Sequence, residues 1–276
     1  MSTGTLYVVA TPLGNLGDLS ERAKQVLCAV HTVAAEDTRR ARVLLQHVGA
    51  SPRVLSYHAH SEQGRVRQLI AALEAGDDVA LLSDAGTPAV SDPGPELVAA
   101  ARRAGAPVVA VPGPSAVAAA LSISGFPASR YTFLGFLPRK GSDRRRLLES
   151  AAGSPWTTVV FEAPARLVRL LRELSEACGG EREGAVAREL TKVHEELRTG
   201  TLAELAVYYD ENPPRGEVTV LVAGSTADRA AVDADAVRQR AAELIADGLT
   251  RRDAADQLAA EFALSRREAY RVVNEQ

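Results

Sequence analysis

The residues best suited to chemistry lie in a loop, 83–94, that follows a short apolar stretch, Val79–Leu82, predicted to be a buried strand. The loop combines hydroxyl and carboxyl side chains with two glycines and two prolines, which restrict its backbone. Asp84 stands where the strand ends, at the edge where open α/β sheets bind ligands. Its carboxylate can accept a hydrogen bond from a ribose hydroxyl or face a cationic group. The alternative is a tight turn in which Asp84 caps the next helix.

Two further loops of similar composition also follow predicted strands. The apolar stretch Val108–Val111 runs into residues 112–115, and a helix of small residues begins directly after Ser115. Ser115 is predicted to cap that helix and to bind a polar ligand at its N-terminus. The first predicted strand, 6–10, runs into a loop at 11–18 that is also rich in glycine and small residues. Three such strand ends together predict one concave binding site.

The order of predicted elements indicates an α/β protein of three parts. Strands and helices alternate over residues 1–121, which predicts a mainly parallel sheet covered by helices on both faces. The pattern restarts in 122–224, where Tyr131–Phe136 alternates like an antiparallel or edge strand and a mixed sheet is expected. Residues 225–276 are predicted to be an all-helical, helix-turn-helix-like domain, with Thr250 and Ser265 as helix caps.

Composition narrows the class of protein. The 276 residues contain 32 basic and 35 acidic side chains, a net charge of −3, so a generic nucleic-acid binder with a basic surplus is not indicated. The two cysteines, Cys28 and Cys178, have no metal-site or disulfide-motif spacing. No apolar run approaches the ~18 residues of a membrane span, and no signal peptide is recognisable. We therefore expect a cytoplasmic protein without a membrane segment.

Two common cofactor motifs are incomplete. The first loop offers only Gly14 and Gly17 in place of a full dinucleotide-binding fingerprint, although Glu36 stands where a ribose-binding acid is expected. No phosphate-binding P-loop motif is present. His58 and His60 have a spacing that a metal site can use, but no further ligands cluster with them, and two polar loop histidines are the favoured interpretation. The sequence therefore predicts no metal.

The loops match a known family as a set. The segments are Leu-Tyr-Val-Val-Ala-Thr-Pro-Leu-Gly-Asn-Leu from 6, Ala-Glu-Asp-Thr-Arg-Arg from 35, Ser-Asp-Ala-Gly-Thr-Pro from 83, Asp-Pro-Gly from 92, Val-Pro-Gly-Pro-Ser from 111, Gly-Phe-Leu-Pro from 135 and Ala-Arg-Glu-Leu-Thr-Lys from 187. Together, in order over 6 to about 223, they resemble the small-subunit (16S) rRNA cytidine-2′-O-methyltransferase I family of the tetrapyrrole-methylase superfamily. Ala10 and the run 161–164 depart from the commoner family pattern.

The resemblance implies a two-domain tetrapyrrole-methylase-like fold, a homodimer, and S-adenosylmethionine bound in the cleft between the two α/β domains. It implies methyl transfer to the ribose 2′-hydroxyl of a cytidine in the decoding region of 16S rRNA, with the 30S subunit as partner. By analogy with the superfamily, eleven residues are expected to contact the methyl donor: Leu13, Asp84, Gly86, Thr87, Ser115, Ala116, Phe161, Arg188, Gly216, Glu217 and Thr219.

A ribose hydroxyl is a weak nucleophile, so a base, or a charge that lowers its pKa, is expected near it. The catalytic candidates are Glu36, Asp37, His58, His60, Glu189 and Lys192. The sequence leaves open which of them acts, and whether the protein supplies a base at all. RNA phosphates are expected at Arg39 and Arg40 and at a basic run, which comprises Arg139, Lys140, Arg144, Arg145 and Arg146. A solvated charged surface is the alternative for that run.

Two rival functions are weighed against this interpretation. A superfamily member that methylates a corrin or other small tetrapyrrole would share the donor loops but would not need the basic run or the helical tail. A non-catalytic nucleic-acid-binding regulator would use the tail as a DNA reader but would not need the complete set of donor loops.

Overall fold

The computed structural model describes residues 3–58, 63–225, 234–262, 264 and 266–275. The described chain falls into two compact units, residues 1–223 and 224–276. His60 and Ser265, which the sequence proposes as a catalytic candidate and a helix cap, lie outside the described residues. Among the described residues no helix is both long and apolar enough to cross a bilayer.

The first sheet is wholly parallel, as predicted. Its strands are β1 (Leu6–Val9), β2 (Thr32–Ala35), β3 (Arg53–Ser56), β4 (Val79–Leu82) and β5 (Val108–Val111), in the order β3-β2-β4-β1-β5. The helices that connect them are α1 (Glu21–Ala29), α2 (Thr38–Val48), α3 (Gln63–Glu74) and α4 (Pro95–Arg103). A short 3-10 turn, Leu16–Asp18, precedes α1.

The helices cover both faces of this sheet. Leu27 of α1 and Leu44 of α2 pack against one face, whereas Leu69 of α3 and Leu97 of α4 pack against the other. The chain therefore leaves the neighbouring strands β1 and β4 towards opposite faces. This arrangement opens a crevice at their carboxyl ends, which is the position where open α/β sheets bind ligands.

The second sheet is mixed, also as predicted. Its strands are β6 (Tyr131–Phe136), β7 (Thr157–Glu162), β8 (Glu183–Arg188), β9 (Glu196–Thr201) and β10 (Val218–Val222), in the order β6-β7-β10-β8-β9. Its helices are α6 (Ser142–Gly153), α7 (Leu167–Cys178) and α8 (Leu202–Glu211), with a 3-10 turn at Pro164–Arg166. These three helices cover one face, and α5 (Ala116–Ser124) packs its Val117 and Leu121 against the other.

Two details of the second sheet differ from the prediction. The strand β6 lies at an edge, as expected, but it is parallel to β7 rather than antiparallel, because the helix α6 intervenes and returns the chain to the same end. The strand β9 was not predicted at all. It forms the other edge, antiparallel to β8.

The second unit contains three described helices, Ala234–Ala246, Arg251–Glu261 and Arg266–Asn274, around a core that includes Leu244, Leu258 and Val273. Thr250 caps the second of them, because its side chain accepts a hydrogen bond from the amide of Asp253. The division into domains at 121/122 and 224/225 stays a prediction.

Candidate functional site

The three predicted loops meet at the carboxyl edge of the first sheet. Thr11 and Gly86 exchange backbone hydrogen bonds of 2.8 and 3.0 Å, so the loop after β1 is joined to the loop after β4. Gly86 has a φ of +80°, a conformation that glycine adopts without steric cost. The hydroxyl of Thr87 donates to the carbonyl of Pro114 at 3.2 Å, which joins the loop after β5 to the same group. The loops thus form one rigid wall.

A cavity of about 320 Å³ lies between this wall and the second sheet. Most of the predicted donor-binding residues line it, namely Leu13, Asp84, Gly86, Thr87, Ser115, Ala116, Phe161, Glu217 and Thr219. Arg188 and Gly216 are not among its lining residues. The guanidinium of Arg188 is bound instead by the carboxylate of Glu196 at 2.6 Å.

One side of the cavity is aromatic. The ring of Phe161 lies 4.9 Å from that of Phe133 and 5.5 Å from that of Phe136, measured between centroids. Phe161 and Phe136 both line the cavity, and 54% of Phe136 is exposed. A partly exposed aromatic pair at a cavity wall offers a flat apolar surface for a planar group such as a purine.

The cavity is also acidic. Its lining includes the carboxyl residues Asp84, Asp92, Glu162 and Glu217, and none of the described residues that line it is basic. Burial, followed by the nearby charges of Glu36 and Asp84, raises the pKa of Asp92 to about 6. An acidic cavity without basic side chains favours a positively charged ligand.

Glu162 also stabilises the turn that follows its strand. Its side chain is fully buried, and Oε1 accepts a hydrogen bond from the amide of Ala163 at 2.8 Å and forms an ion pair with the guanidinium of Arg166. The pair holds the turn Pro164–Arg166, which supplies Pro164 to the cavity wall.

Ser115 does not cap its helix as predicted. It occupies the N-cap position of α5, but its side chain makes no capping hydrogen bond. The backbone of Ser115 is extended, with a φ of −141°. The residue lines the cavity wall together with Ala116 and Val117. The first amides of α5 lie at the same place, and a helix N-terminus favours an anionic group such as a carboxylate.

Asp84 is not a cap for the helix that follows it. Its Oδ1 accepts a hydrogen bond from the amide of Asp37 at 2.9 Å, and its Oδ2 lies 3.6 Å from the guanidinium of Arg40. The next helix, α4, begins after Gly94 and has no side-chain cap. Asp84 therefore connects the β4 loop to the start of α2, and the simple-turn alternative is wrong.

The catalytic candidates differ in their suitability as bases. The Arg39 guanidinium, hydrogen-bonded to Asp37, holds the pKa of that carboxyl well below its usual range. The ammonium of Lys192, 2.9 Å from the carboxylate of Glu189, lowers the pKa of Glu189. Burial and the charge of Asp84 raise the pKa of Glu36. The charge of the nearby His58 opposes this shift, but it is the smaller effect. Among the described residues no cluster of potential ligands is suited to a metal ion.

Glu189 and Lys192 lie at a strained turn beside the cavity wall. Glu189 and Thr191 have φ angles of +50° and +66°, which non-glycine residues rarely adopt. A Cβ on Gly216 would lie 1.7 Å from the carboxylate of Glu189, and one on Gly14 would lie 2.4 Å from Cγ of Lys192. Gly216 also has a φ of +79°, so a side chain there would be strained as well as close to Glu189, whereas at Gly14 the Lys192 side chain would have to move.

All but one of the predicted RNA-contacting residues are exposed, and they lie in two parts of the chain. Arg39 and Arg40 lie on the first turn of α2, with 86% and 60% of their side chains exposed. The exposed members of the basic run are Arg139, Lys140, Arg145 and Arg146. Arg144 is buried and is removed from the proposed RNA-facing set, because its guanidinium binds the carboxylate of Glu173 and the carbonyl of Pro138.

We expect R144A to destabilise the protein by about 3 kcal/mol, because it leaves Glu173 without its buried partner. R145A, at an exposed neighbouring position, is the matched control and should change the free energy of unfolding by less than about 0.5 kcal/mol. Urea denaturation of both variants measures the difference. Equal stabilities would contradict the structural role of Arg144.

Sequence reasoning missed Asp92 and Phe136 as lining residues. Asp92 lies in the loop 83–94 and in the Asp-Pro-Gly segment of the resemblance, but it was not assigned a role of its own. Phe136 ends a strand of the second sheet and lines the cavity beside Phe161, on the neighbouring strand β7.

Comparison with known proteins assigns the fold and the family. Residues 5–206 match the model of the Tetrapyrrole (Corrin/Porphyrin) Methylases. Two solved structures share the fold. Cobalt precorrin-4 methyltransferase has 18% identity and a TM-score of 0.61 over 79% of this chain and 94% of that chain. Uroporphyrin-III C-methyl transferase from Thermus thermophilus, complexed with S-adenyl homocysteine, has 22% identity and a TM-score of 0.57 over 79% and 97%.

Closer relatives share one name, ribosomal RNA small subunit methyltransferase I. The protein of this name from Synechocystis sp. is 46% identical over 98% of this chain and 97% of its own length. The one from Pseudomonas aeruginosa is 46% identical over 81% of this chain and 80% of its own length. The predicted resemblance and fold class are confirmed: the chain belongs to the tetrapyrrole (corrin/porphyrin) methylase family and, within it, to the ribosomal RNA small subunit methyltransferase I proteins.

Proposed function

We propose that this protein transfers a methyl group from S-adenosylmethionine to the ribose 2′-hydroxyl of a cytidine in the 16S rRNA of the small ribosomal subunit. The single observation that carries the donor assignment is the acidic cavity, which has an aromatic wall and no basic lining residue among those described. The names of the close relatives support the RNA acceptor.

The cavity suits each part of the donor. The aromatic pair Phe136 and Phe161 accommodates the adenine ring, and the amides at the start of α5 accommodate the carboxylate of the amino-acid end. The carboxylates of Asp84 and Asp92 face its positive charges. When bound, the donor supplies an electrophilic methyl carbon on a sulfonium sulfur.

Asp92 is the residue that we assign to the acceptor proton. It lines the same cavity as the donor loops, whereas Asp37 and Glu189 are each bound to a cation and are weaker bases. With the donor bound, the Asp92 carboxylate would accept the hydroxyl proton as the oxygen–methyl bond forms and the carbon–sulfur bond breaks, and would then release it to water. S-adenosylhomocysteine leaves without the sulfonium charge, so the acidic cavity holds it less strongly than the donor.

The RNA is held mainly through its phosphates. Arg39 and Arg40 lie beside the cavity entrance, and the exposed part of the basic run supplies further cations, namely Arg139, Lys140, Arg145 and Arg146. Such contacts give affinity and position rather than sequence choice. A small-subunit rRNA substrate supports a cytoplasmic location, which we include in the proposal, and the homodimer stays a prediction.

The test compares acceptors. Purified protein and labelled S-adenosylmethionine are incubated with undermethylated 30S subunits and, separately, with a uroporphyrinogen-type tetrapyrrole. We expect label in the RNA and none in the tetrapyrrole. Label in the tetrapyrrole alone would establish the small-molecule rival. Donor binding without transfer to either acceptor would contradict the RNA proposal, and absence of donor binding would favour the non-catalytic rival.

A further inference from the structure

A second cavity, of about 230 Å³, lies at the same edge of the first sheet, beyond the β4 loop. It is enclosed by the loop after β1, the end of β2 and the first half of α2. Asp84 lines both this cavity and the donor cavity. The two spaces are therefore neighbours that share one carboxylate.

The walls of the second cavity are largely apolar. Pro12, Leu16, Val43 and Leu44 all line it. Two of these side chains face solvent to an unusual degree for their type, since Leu16 is 38% and Val43 is 61% exposed. Contiguous exposed apolar residues on a protein surface often mark a binding site.

One basic side chain, Arg40, lines this cavity together with the carboxylates of Asp37 and Asp84. The guanidinium of Arg40 lies 3.6 Å from Asp84, and that of Arg39, exposed on the same helix, pairs with Asp37. A space with apolar walls and these two guanidinium groups on the helix beside it matches a nucleotide, whose base is flat and apolar on its faces and whose phosphates are anionic.

We propose that the second cavity holds the base of the nucleotide that accepts the methyl group. The inference rests on the proposed function and names a place for its acceptor. The cavity, of about 230 Å³, is open to solvent at its mouth, so a base can enter it from the surface. Enzymes that act on a base commonly extrude it from its stack into a pocket, and we infer that the same device here holds the base while its ribose is methylated.

The arrangement also explains why Asp84 is held from two sides. With its Oδ1 bonded to the Asp37 amide and its Oδ2 near Arg40, the carboxylate forms a fixed partition between the two cavities. A base in the second cavity places its ribose at this partition, next to the donor. A protein partner docked on Val43 is the competing occupant, but the arginines of α2 favour a polyanion.

The experiment fills the second cavity and leaves the first one intact. V43W places a large side chain at its mouth, and V207W is the matched control, because Val207 is also helical and is 62% exposed on α8. Donor affinity is measured with S-adenosylhomocysteine by calorimetry, and kcat/KM is measured with 30S subunits. We expect V43W to lower kcat/KM at least tenfold with donor Kd unchanged within twofold, and V207W to change neither. Equal kcat/KM for the two variants would overturn the proposal.

A second measurement does not depend on the tryptophan variant. A photoreactive p-azidophenylalanine at position 43 is crosslinked to 30S subunits in the presence of S-adenosylhomocysteine. We expect the crosslink at the methylated nucleotide or its immediate neighbours. A crosslink to a ribosomal protein or to distant RNA would overturn the cavity proposal while leaving the proposed function intact. Failure of the wild-type protein to methylate 30S subunits would instead overturn the proposed function, and this inference with it.

Discussion

D92N is expected to lower kcat for methyl transfer at least 100-fold at pH 7.5. The amide keeps the size of the side chain but cannot accept the hydroxyl proton, and loss of a general base typically costs 10²–10⁴-fold. Donor affinity should fall much less than kcat, because Asp84 and Glu217 still line the cavity. Single-turnover rates with 30S subunits and calorimetric titration with S-adenosylhomocysteine separate the two quantities.

The same residue predicts the pH dependence of activity and of stability. Because the pKa of Asp92 is raised to about 6, wild-type kcat should fall as the pH drops through 6 and the carboxyl takes up a proton. The folded state disfavours the ionised form, so the wild-type protein loses stability as the pH rises from about 4 to 6. D92N should therefore be more stable than wild type at pH 8 by about 1 to 2 kcal/mol, allowing for partial exposure, and equal to it near pH 4.

D210N is the control for both properties. Asp210 is 55% exposed, pairs with Arg172 on the surface and lines neither of the two cavities described above. It should change kcat by less than twofold and stability by less than about 0.5 kcal/mol. If D92N keeps wild-type kcat, Asp92 does not accept the proton, and Glu36 becomes the next residue to test, since burial also raises its pKa.

D84A is expected to weaken binding of S-adenosylmethionine at least tenfold. The substitution removes a carboxylate from the cavity and also removes the acceptor of the Asp37 amide, so the β4 loop loses its connection to α2. The donor carries a sulfonium charge that S-adenosylhomocysteine lacks, so the loss of affinity should be larger for the donor. Calorimetric Kd values for both ligands measure the effect.

The variant D84N removes the charge of residue 84 but keeps its hydrogen bond to the start of α2. Its amide oxygen can still accept the hydrogen bond from Asp37, so we expect near wild-type stability together with weakened donor binding. Equal loss of affinity for donor and product in both variants would show that Asp84 only positions the loop. Wild-type affinity in D84A would remove Asp84 from the site.

The sequence predicted that the first sheet is parallel, but it missed the edge strand β9 of the second sheet. Short apolar strands such as Val79–Leu82, each followed by glycine, proline and hydroxyl residues, are a strong signal of parallel strands. Glu196–Thr201 gave no such signal, because it is a half-exposed edge strand whose contacts are polar. Glu196 binds Arg188 and Arg198, and the guanidinium of Arg198 lies 3.5 Å from the centre of the Tyr208 ring.

Most of the candidate donor site was predicted by analogy with the superfamily, because its residues lie in or next to the loop segments that carry the resemblance. Arg144 was misassigned, since a run of basic residues does not reveal which member turns inward on a helix to meet Glu173. Phe136 was missed although it lies in the Gly-Phe-Leu-Pro segment, because its approach to the first-sheet loops depends on contacts between distant elements. The second cavity was missed for the same reason.

The most direct test of the central claim is to identify the methylated nucleoside. 30S subunits from cells that lack this protein are incubated with S-adenosylmethionine and the purified enzyme, and the 16S rRNA is digested to nucleosides for mass spectrometry. We predict one new 2′-O-methylcytidine per subunit, in the decoding region, which is absent with D92N. A methyl group on a base, or on the ribose of a different nucleoside, would contradict the proposed acceptor.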